Sequence, residues 1–290
     1  MSYDPNLPTF EPGTVWLTGA GPGDPGLLTL LATKALAEAD IVLYDALVND
    51  EILSWTKPDA HLEFVGKRAR VKSLKQPEIT AKMVGHAKAG KRVLRLKGGD
   101  PFIFGRGGEE AIELAKAQIH FRIIPGITAG IGGLAYASIP VTHRDINNVV
   151  SFVTGHDSSG SLPVNIDWEA LSTASPVIVF YMALRTMPEI AQHLIKAGKS
   201  PNTPIAIVSS ASSAQQETIE ATLGTYEQAL QSRTTGAPAI IIVGESVKIR
   251  GLLKGWQQTI SSSLDQNGSN EVSKLKASLS LAEADDFFEM

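Results

Sequence analysis

The chain has 290 residues, 43% of them hydrophobic and 19% charged, with a formal net charge of −4. That is the make-up of an ordinary globular protein with room for one large domain or two modest ones, and its acidic balance argues against a nucleic-acid binder. Without cysteine there are no disulfides, thiolate nucleophiles or Cys-ligated zinc; the polar, proline-rich start and the lack of any apolar run near ~18 residues argue against a signal peptide or membrane span, leaving the cytoplasm as the expected compartment.

Short β-branched runs alternate with helical stretches, which predicts an α/β fold. Val15–Thr18 reads as the first strand and runs into a loop from Gly19 to Gly26. Leu27–Ala39 is predicted helical, Ile41–Tyr44 is a strand ending at Asp45, and Glu78–Ala89 is a helix closed by Gly90. Arg92–Leu96 is the next strand, followed by a helix over Glu109–Lys116, a strand over Arg122–Ile124 and a small-residue helix over Thr128–Ala137. Proline and polar residues interrupt the periodicity at 140–148. Beyond them Val149–Thr154, Val177–Tyr181, Ile205–Ser209 and Ala239–Val243 read as strands, with a helix at Glu189–Ala197. Two domains are therefore expected, 14–140 and 149–256, with a poorly ordered tail over 257–290.

Three glycine loops follow strands. In the first, Gly21, Gly23 and Gly26 match the G-x-G-x-x-G dinucleotide fingerprint, and Asp45 ends the next strand as an NAD site would require. Pro22 and Pro25 remove two N–H donors from the loop, so a tight turn and a different ligand stay open beside NAD. The second cluster holds five glycines between Gly98 and Gly108, with Asp100 and Arg106 among them. That is too many for one turn, and a ligand loop is the better reading. The third, Pro125–Gly133, serves close helix packing or ligand approach equally well.

Two P-loop-like strings, Gly85–Lys91 and Ala197–Ser200, end helices rather than begin them, so they read as glycine caps. The six histidines are scattered and no metal site is expected. Lys67, Arg68, Arg70, Lys72 and Lys75 form the main concentration of positive charge. Such a run is a solvated loop or the docking site of a polyanion.

Taken together, Gly19–Gly26 with Leu27–Thr29, Asp45–Val48, Gly66–Arg68, Leu96–Pro101, Phe104–Glu110, Pro125–Ala129 and Val141–Arg144 resemble the uroporphyrinogen-III C-methyltransferases of the tetrapyrrole methylase family. The likeness continues through Thr154–His156, Phe180–Met182 and Pro238–Gly244, so it covers roughly Val15 to Trp256. It implies two α/β domains with a cofactor cleft between them, a homodimer, and a monofunctional enzyme without the extra module of fused sirohaem synthases. The implied cofactor is S-adenosylmethionine, leaving as S-adenosylhomocysteine, in place of NAD. The implied substrates are uroporphyrinogen III and precorrin-1, methylated at C2 and C7 to precorrin-2.

By the same resemblance Pro22, Gly98, Gly99, Asp100, Ile103, Thr128, Ala129, Met182, Ala211 and Ala239 line the cofactor site. Ala211 is a small departure, since some relatives carry glycine there. Asp45 and Lys67 fall where the family places its proton acceptor and donor, and Arg106 and Glu109 are alternative participants. An arginine base would need an extreme pKa shift, so Arg106 is expected to bind a substrate carboxylate, with Arg144 meeting another.

Overall fold

The computed structural model describes residues 7–66, 74–157, 159–231 and 238–257. The expectations for Lys67, Arg68, Arg70, Lys72 and nearly all of the tail lie outside the described residues. The first part of the chain runs β1 (Val15–Gly19), α1 (Leu30–Glu38), β2 (Ile41–Tyr44), α2 (Asp50–Leu53), β3 (His61–Phe64), α3 (Gln76–Lys88), β4 (Val93–Lys97), α4 (Gly107–Lys116), β5 (Phe121–Ile124) and α5 (Ala129–Tyr136). The second runs β6 (Val150–Thr154), α6 (Trp168–Ala174), β7 (Val177–Tyr181), α7 (Met187–Lys196), β8 (Pro204–Ser209), β9 (Glu217–Thr222), α8 (Tyr226–Gln231), β10 (Ala239–Val243) and α9 (Arg250–Leu253).

β1 to β5 form one sheet in the order β3-β2-β4-β1-β5, with every neighbouring pair parallel. Alternate side chains point to opposite faces. Trp16, Val42, Leu94 and Leu96 pack with Ala32 and Leu36 of α1, whereas Val15, Leu17, Leu43 and Val93 pack with Met83 of α3 and Leu114 of α4. Burying each such side chain contributes about 1.5–3 kcal/mol, so the two-faced apolar pattern clamps helices on both sides. The chain leaves β1 toward β2 but leaves β4 toward β5, in opposite directions. The crevice of this sheet therefore opens between the carboxyl ends of β1 and β4.

The second sheet is mixed, in the order β6-β7-β10-β8-β9, with only β6 and β7 parallel. Ile178, Phe180, Ile205, Ile207 and Ile241 cover α7 through Ile190 and Leu194. The other face, with Val177, Val179, Val208 and Ile242, takes Leu134 from α5 and Ala137 and Ile139 just beyond it. One helix thus belongs to the first part of the chain and buries its side chains on the second sheet.

The helix predicted from Leu27 begins three residues later. Pro25–Leu27 is a 3-10 turn capped by Asp24, and Thr29 caps α1 by accepting from Ala32 N. Strands β3 and β9 and helices α2, α6, α8 and α9 were not anticipated. β3 and β9 are edge strands, and Ile219 is the one buried side chain between them.

Candidate active site

The three glycine loops meet at the carboxyl edge of the parallel sheet. A Cβ on Gly19 would sit 2.6 Å from Gly126 Cα, so the ends of β1 and β5 touch through bare backbone. Gly21 and Gly99 exchange hydrogen bonds, at 3.2 Å from Gly21 N and 2.7 Å from Gly99 N. Gly99 does so with φ +66°, where an L-residue is strained by roughly 1–2 kcal/mol. Asp100 ties the set together, its Oδ2 accepting from Gly126 N at 3.0 Å and its Oδ1 from Phe102 N at 2.8 Å.

These bonds account for the failure of the dinucleotide reading. Gly21 N is spent on Gly99, Gly26 N on Asp24 Oδ1 at 2.7 Å, and Asp24 N on Ser212 Oγ at 3.2 Å. A pyrophosphate would find those donors taken, and a 3-10 turn where a helix N-terminus should point at it.

Facing this edge is the edge of the second sheet at which β7 and β8 end and β10 begins. Tyr181 Oη meets Thr128 Oγ1 at 2.8 Å and accepts from Gly130 N at 3.0 Å, joining β7 to the start of α5. Met182, Ser210 and Ser212 all take left-handed backbone, at φ 54°, 48° and 55°. Ala211 lies against α5 so closely that a Cβ on Gly133 would fall 2.5 Å from its own. Ala239 pairs with Ser209 beside it.

The predicted cofactor residues are thereby gathered about the two edges. Pro22, Gly98, Gly99, Asp100 and Thr128 lie on the first, and Met182, Ala211 and Ala239 on the second. Ile103 and Ala129 pack against the apolar cluster that includes Tyr181 and Ala211. A Cβ on Gly99 would approach only Thr128, at 3.8 Å, so that glycine leaves space a ligand could fill. The cradle offers backbone, small residues and apolar surface, and the oxygens of its one carboxylate, Asp100, already accept bonds.

The charged candidates lie on the first sheet. Asp45 borders a hollow of about 450 Å³ with Tyr44, Ala46, Val48, Asn49, Asp50 and Phe64. Its Oδ1 accepts from Arg95 Nη2 at 2.7 Å, and its Oδ2 is 3.8 Å from Lys97 Nζ. Glu110, fully buried, accepts from Arg95 Nε at 3.0 Å and lies 3.3 Å from Lys97 Nζ. Burial works against the Arg95 charge, but Asp45 and Glu110 outweigh it and hold the guanidinium above its ordinary value. Burial, then Arg95, pushes the Lys97 ammonium down, with Glu110 and Asp45 opposing.

Arg106, in left-handed backbone at the head of α4, holds Glu109 through Nε at 2.9 Å and Nη2 at 2.5 Å. That bidentate hydrogen bond raises the guanidinium pKa and lowers that of the carboxyl, so Arg106 is no base. The pair borders a separate hollow of about 790 Å³ between α3 and α4, and the structure does not bring it to the Asp45 hollow. Arg144 sits in an exposed turn between His143 and Asn147, on the segment joining the two sheets. Arg95 and Glu110 were not singled out from the sequence. The available signal was a charge at every second position of an otherwise apolar strand, Val93-Leu94-Arg95-Leu96-Lys97.

Fold and site define an α/β protein with a backbone-built ligand cradle between two sheet edges and an acid–base cluster alongside. Among the described residues no group could hold a metal ion, and no helix is long and apolar enough to cross a membrane.

The profile of the Tetrapyrrole (Corrin/Porphyrin) Methylases matches residues 14–227. A uroporphyrinogen-III C-methyltransferase of Sinorhizobium sp is 55% identical over 85% of this chain and 88% of its own length. The sirohaem synthase of Actinobacillus succinogenes is 47% identical over 84% of this chain, which spans about half (50%) of that longer protein. The uroporphyrin-III C-methyltransferase of Thermus thermophilus, solved with S-adenosyl homocysteine, superposes with a TM-score of 0.71 at 35% identity, over 81% of this chain and 99% of its own. A cobalt precorrin-4 methyltransferase, at 24% identity and a TM-score of 0.73, shares the fold. The chain belongs to the tetrapyrrole methylase family and is a methyltransferase.

Proposed function

We propose that the protein transfers methyl groups from S-adenosylmethionine to C2 and C7 of uroporphyrinogen III, by way of precorrin-1, giving precorrin-2. The observation that carries this reading is the pair of facing sheet edges, whose small and backbone-exposed residues suit an adenosyl sulfonium better than a pyrophosphate. The donor supplies an electrophilic methyl group when bound. The chain's part is to hold that group in line with a pyrrole carbon and to manage the proton the ring must lose afterwards.

In this reading Pro22, Gly98, Gly99, Asp100, Ile103, Thr128, Ala129, Met182, Ala211 and Ala239 hold the donor. Asp45 takes or relays the proton, with Lys67 as its partner. Arg106, once released by Glu109, and Arg144 bind substrate carboxylates. The division into domains 14–140 and 149–256, a homodimer and a cytoplasmic location belong to the same proposal. Incubation with uroporphyrinogen III and isotope-labelled S-adenosylmethionine should give a doubly methylated product by mass analysis. An unmethylated porphyrinogen would refute the reading, as would tight NAD binding in calorimetry without binding of the methyl donor.

A further inference from the structure

The charges beneath Asp45 support an inference that rests on the acid–base role proposed for that residue. Asp45 follows β2, Arg95 and Lys97 stand on β4, and Glu110 stands on α4. All three guanidinium nitrogens of Arg95 donate. Nη2 donates to Asp45, Nε to Glu110, and Nη1 to the Leu43 and Leu96 carbonyls at 3.3 and 3.2 Å. Glu110 Oε1 also accepts from Gln76 Nε2 of α3 at 2.9 Å, so the far end of the chain of contacts is itself anchored.

Stability gives a weak reason for such an arrangement. Desolvating buried charges takes back much of what their attraction contributes, and apolar residues of similar volume often do as well or better. They would fit here, because Arg95 and Glu110 share a face of the sheet with Leu17, Leu43, Val93 and Leu114. The one member of the cluster that reaches a hollow is Asp45, with 27% of its side chain exposed against 4% or less for the others. Asp45 faces Arg95 and Lys97 from β4 and shares its hollow with Asp50, with Glu110 behind the two cations.

We infer that Arg95, locked by Glu110, is a positioning residue that fixes the Asp45 carboxylate at the mouth of its hollow. The paired change Arg95→Met with Glu110→Leu removes one cation and one anion together and leaves Asp45 opposite Lys97. Turnover at neutral pH should fall at least about tenfold, while cofactor Kd and porphyrinogen KM stay within about threefold. Adding Asp45→Asn to the pair should cost little more, since the residues act through one group.

A lysine at position 95 preserves the buried charge but cannot span both carboxylates, so Arg95→Lys guards against a pair variant that fails to fold. Reduced turnover with intact cofactor affinity is expected there too. Wild-type turnover in Arg95→Lys or in a folded pair variant, or a rise in KM without a fall in kcat, would overturn the inference and leave the role of Asp45 standing. Wild-type turnover in Asp45→Asn alone would overturn both.

Discussion

The two facing sheet edges are built on opposite terms. In the parallel sheet every strand ends on the same side, so the loops after β1, β2, β4 and β5 converge there and bring Asp45, Lys97 and Asp100 with them. In the mixed sheet that edge is assembled from the ends of β7 and β8 and the start of β10. It carries Tyr181, Met182, Ser210, Ala211, Ser212 and Ala239, none of them charged at neutral pH. Three of those residues hold left-handed backbone, a strain of roughly 1–3 kcal/mol each that the packed sheet must maintain. One edge therefore carries the charged groups, among them the Asp45 proposed for proton chemistry, and the other offers only shape. Substitutions on the two sides should consequently fail in different ways.

The largest effect is expected on the charged side. Asp45→Asn keeps size and some hydrogen bonding but removes the proposed base, and general acid–base help is typically worth about 100- to 10,000-fold. Turnover should fall within that range while calorimetry shows cofactor affinity changed by less than about threefold. A variant that mainly loses cofactor binding would place Asp45 on the donor side and erase the contrast between the edges. Tyr181→Phe probes the shaped side. It strips the partner from Thr128 Oγ1 and Gly130 N in a buried position, which costs about 1–3 kcal/mol. Denaturant unfolding should show that loss, and cofactor affinity should weaken more than porphyrinogen KM rises.

The same contrast explains what the sequence revealed. Clustered glycines at strand ends mark the loops after β1, β4 and β5 without any structure, because few other residues tolerate such close backbone approach. Ala211 and Ala239 bear no local mark, since an alanine that contributes backbone looks like any other alanine, and only family resemblance singled them out. Edge strands β3 and β9 escaped because a strand wet on one side, such as Glu217–Thr222, loses the apolar run that announces β7 or β10. The Arg95–Glu110 contact joins two elements through tertiary packing, so neither residue's neighbours in sequence disclose its partner. The mixture of one parallel and three antiparallel pairings in the second sheet was equally invisible, because strand patterns alone do not fix which way a strand runs.

Arg106 and Glu109 allow a smaller effect with opposed signs. The pair is about half exposed, so losing it should change stability by less than about 1 kcal/mol. Arg106→Met leaves Glu109 to repel substrate carboxylates, and porphyrinogen KM should rise. Glu109→Gln frees the guanidinium, and KM should fall. Steady-state kinetics on the two variants settles the point, and movement in the same direction would show the pair to be a surface contact only.

The smallest expected effect on turnover lies at the seam between the edges. Tyr136, at the end of α5, donates its phenol proton to Asp24 Oδ2 at 2.6 Å, and Asp24 N in turn reaches Ser212 of the second sheet. That hydrogen bond first, then burial, pushes the Tyr136 pKa up to about 12 from an ordinary 10.0. A folded-state pKa above the unfolded one stabilises the fold fully below about pH 10, and the contribution is lost as pH rises through about 12. Tyr136→Phe should therefore cost about 1 kcal/mol at neutral pH, given the partial exposure of the pair. The gap between variant and wild type should close on the alkaline side, over that window and not below it. Tyr181 and Tyr226 are also raised, so the late phenol is read from the difference between wild-type and variant ultraviolet titrations. A gap that closes near pH 10 instead would mean that Asp24 does not hold this phenol.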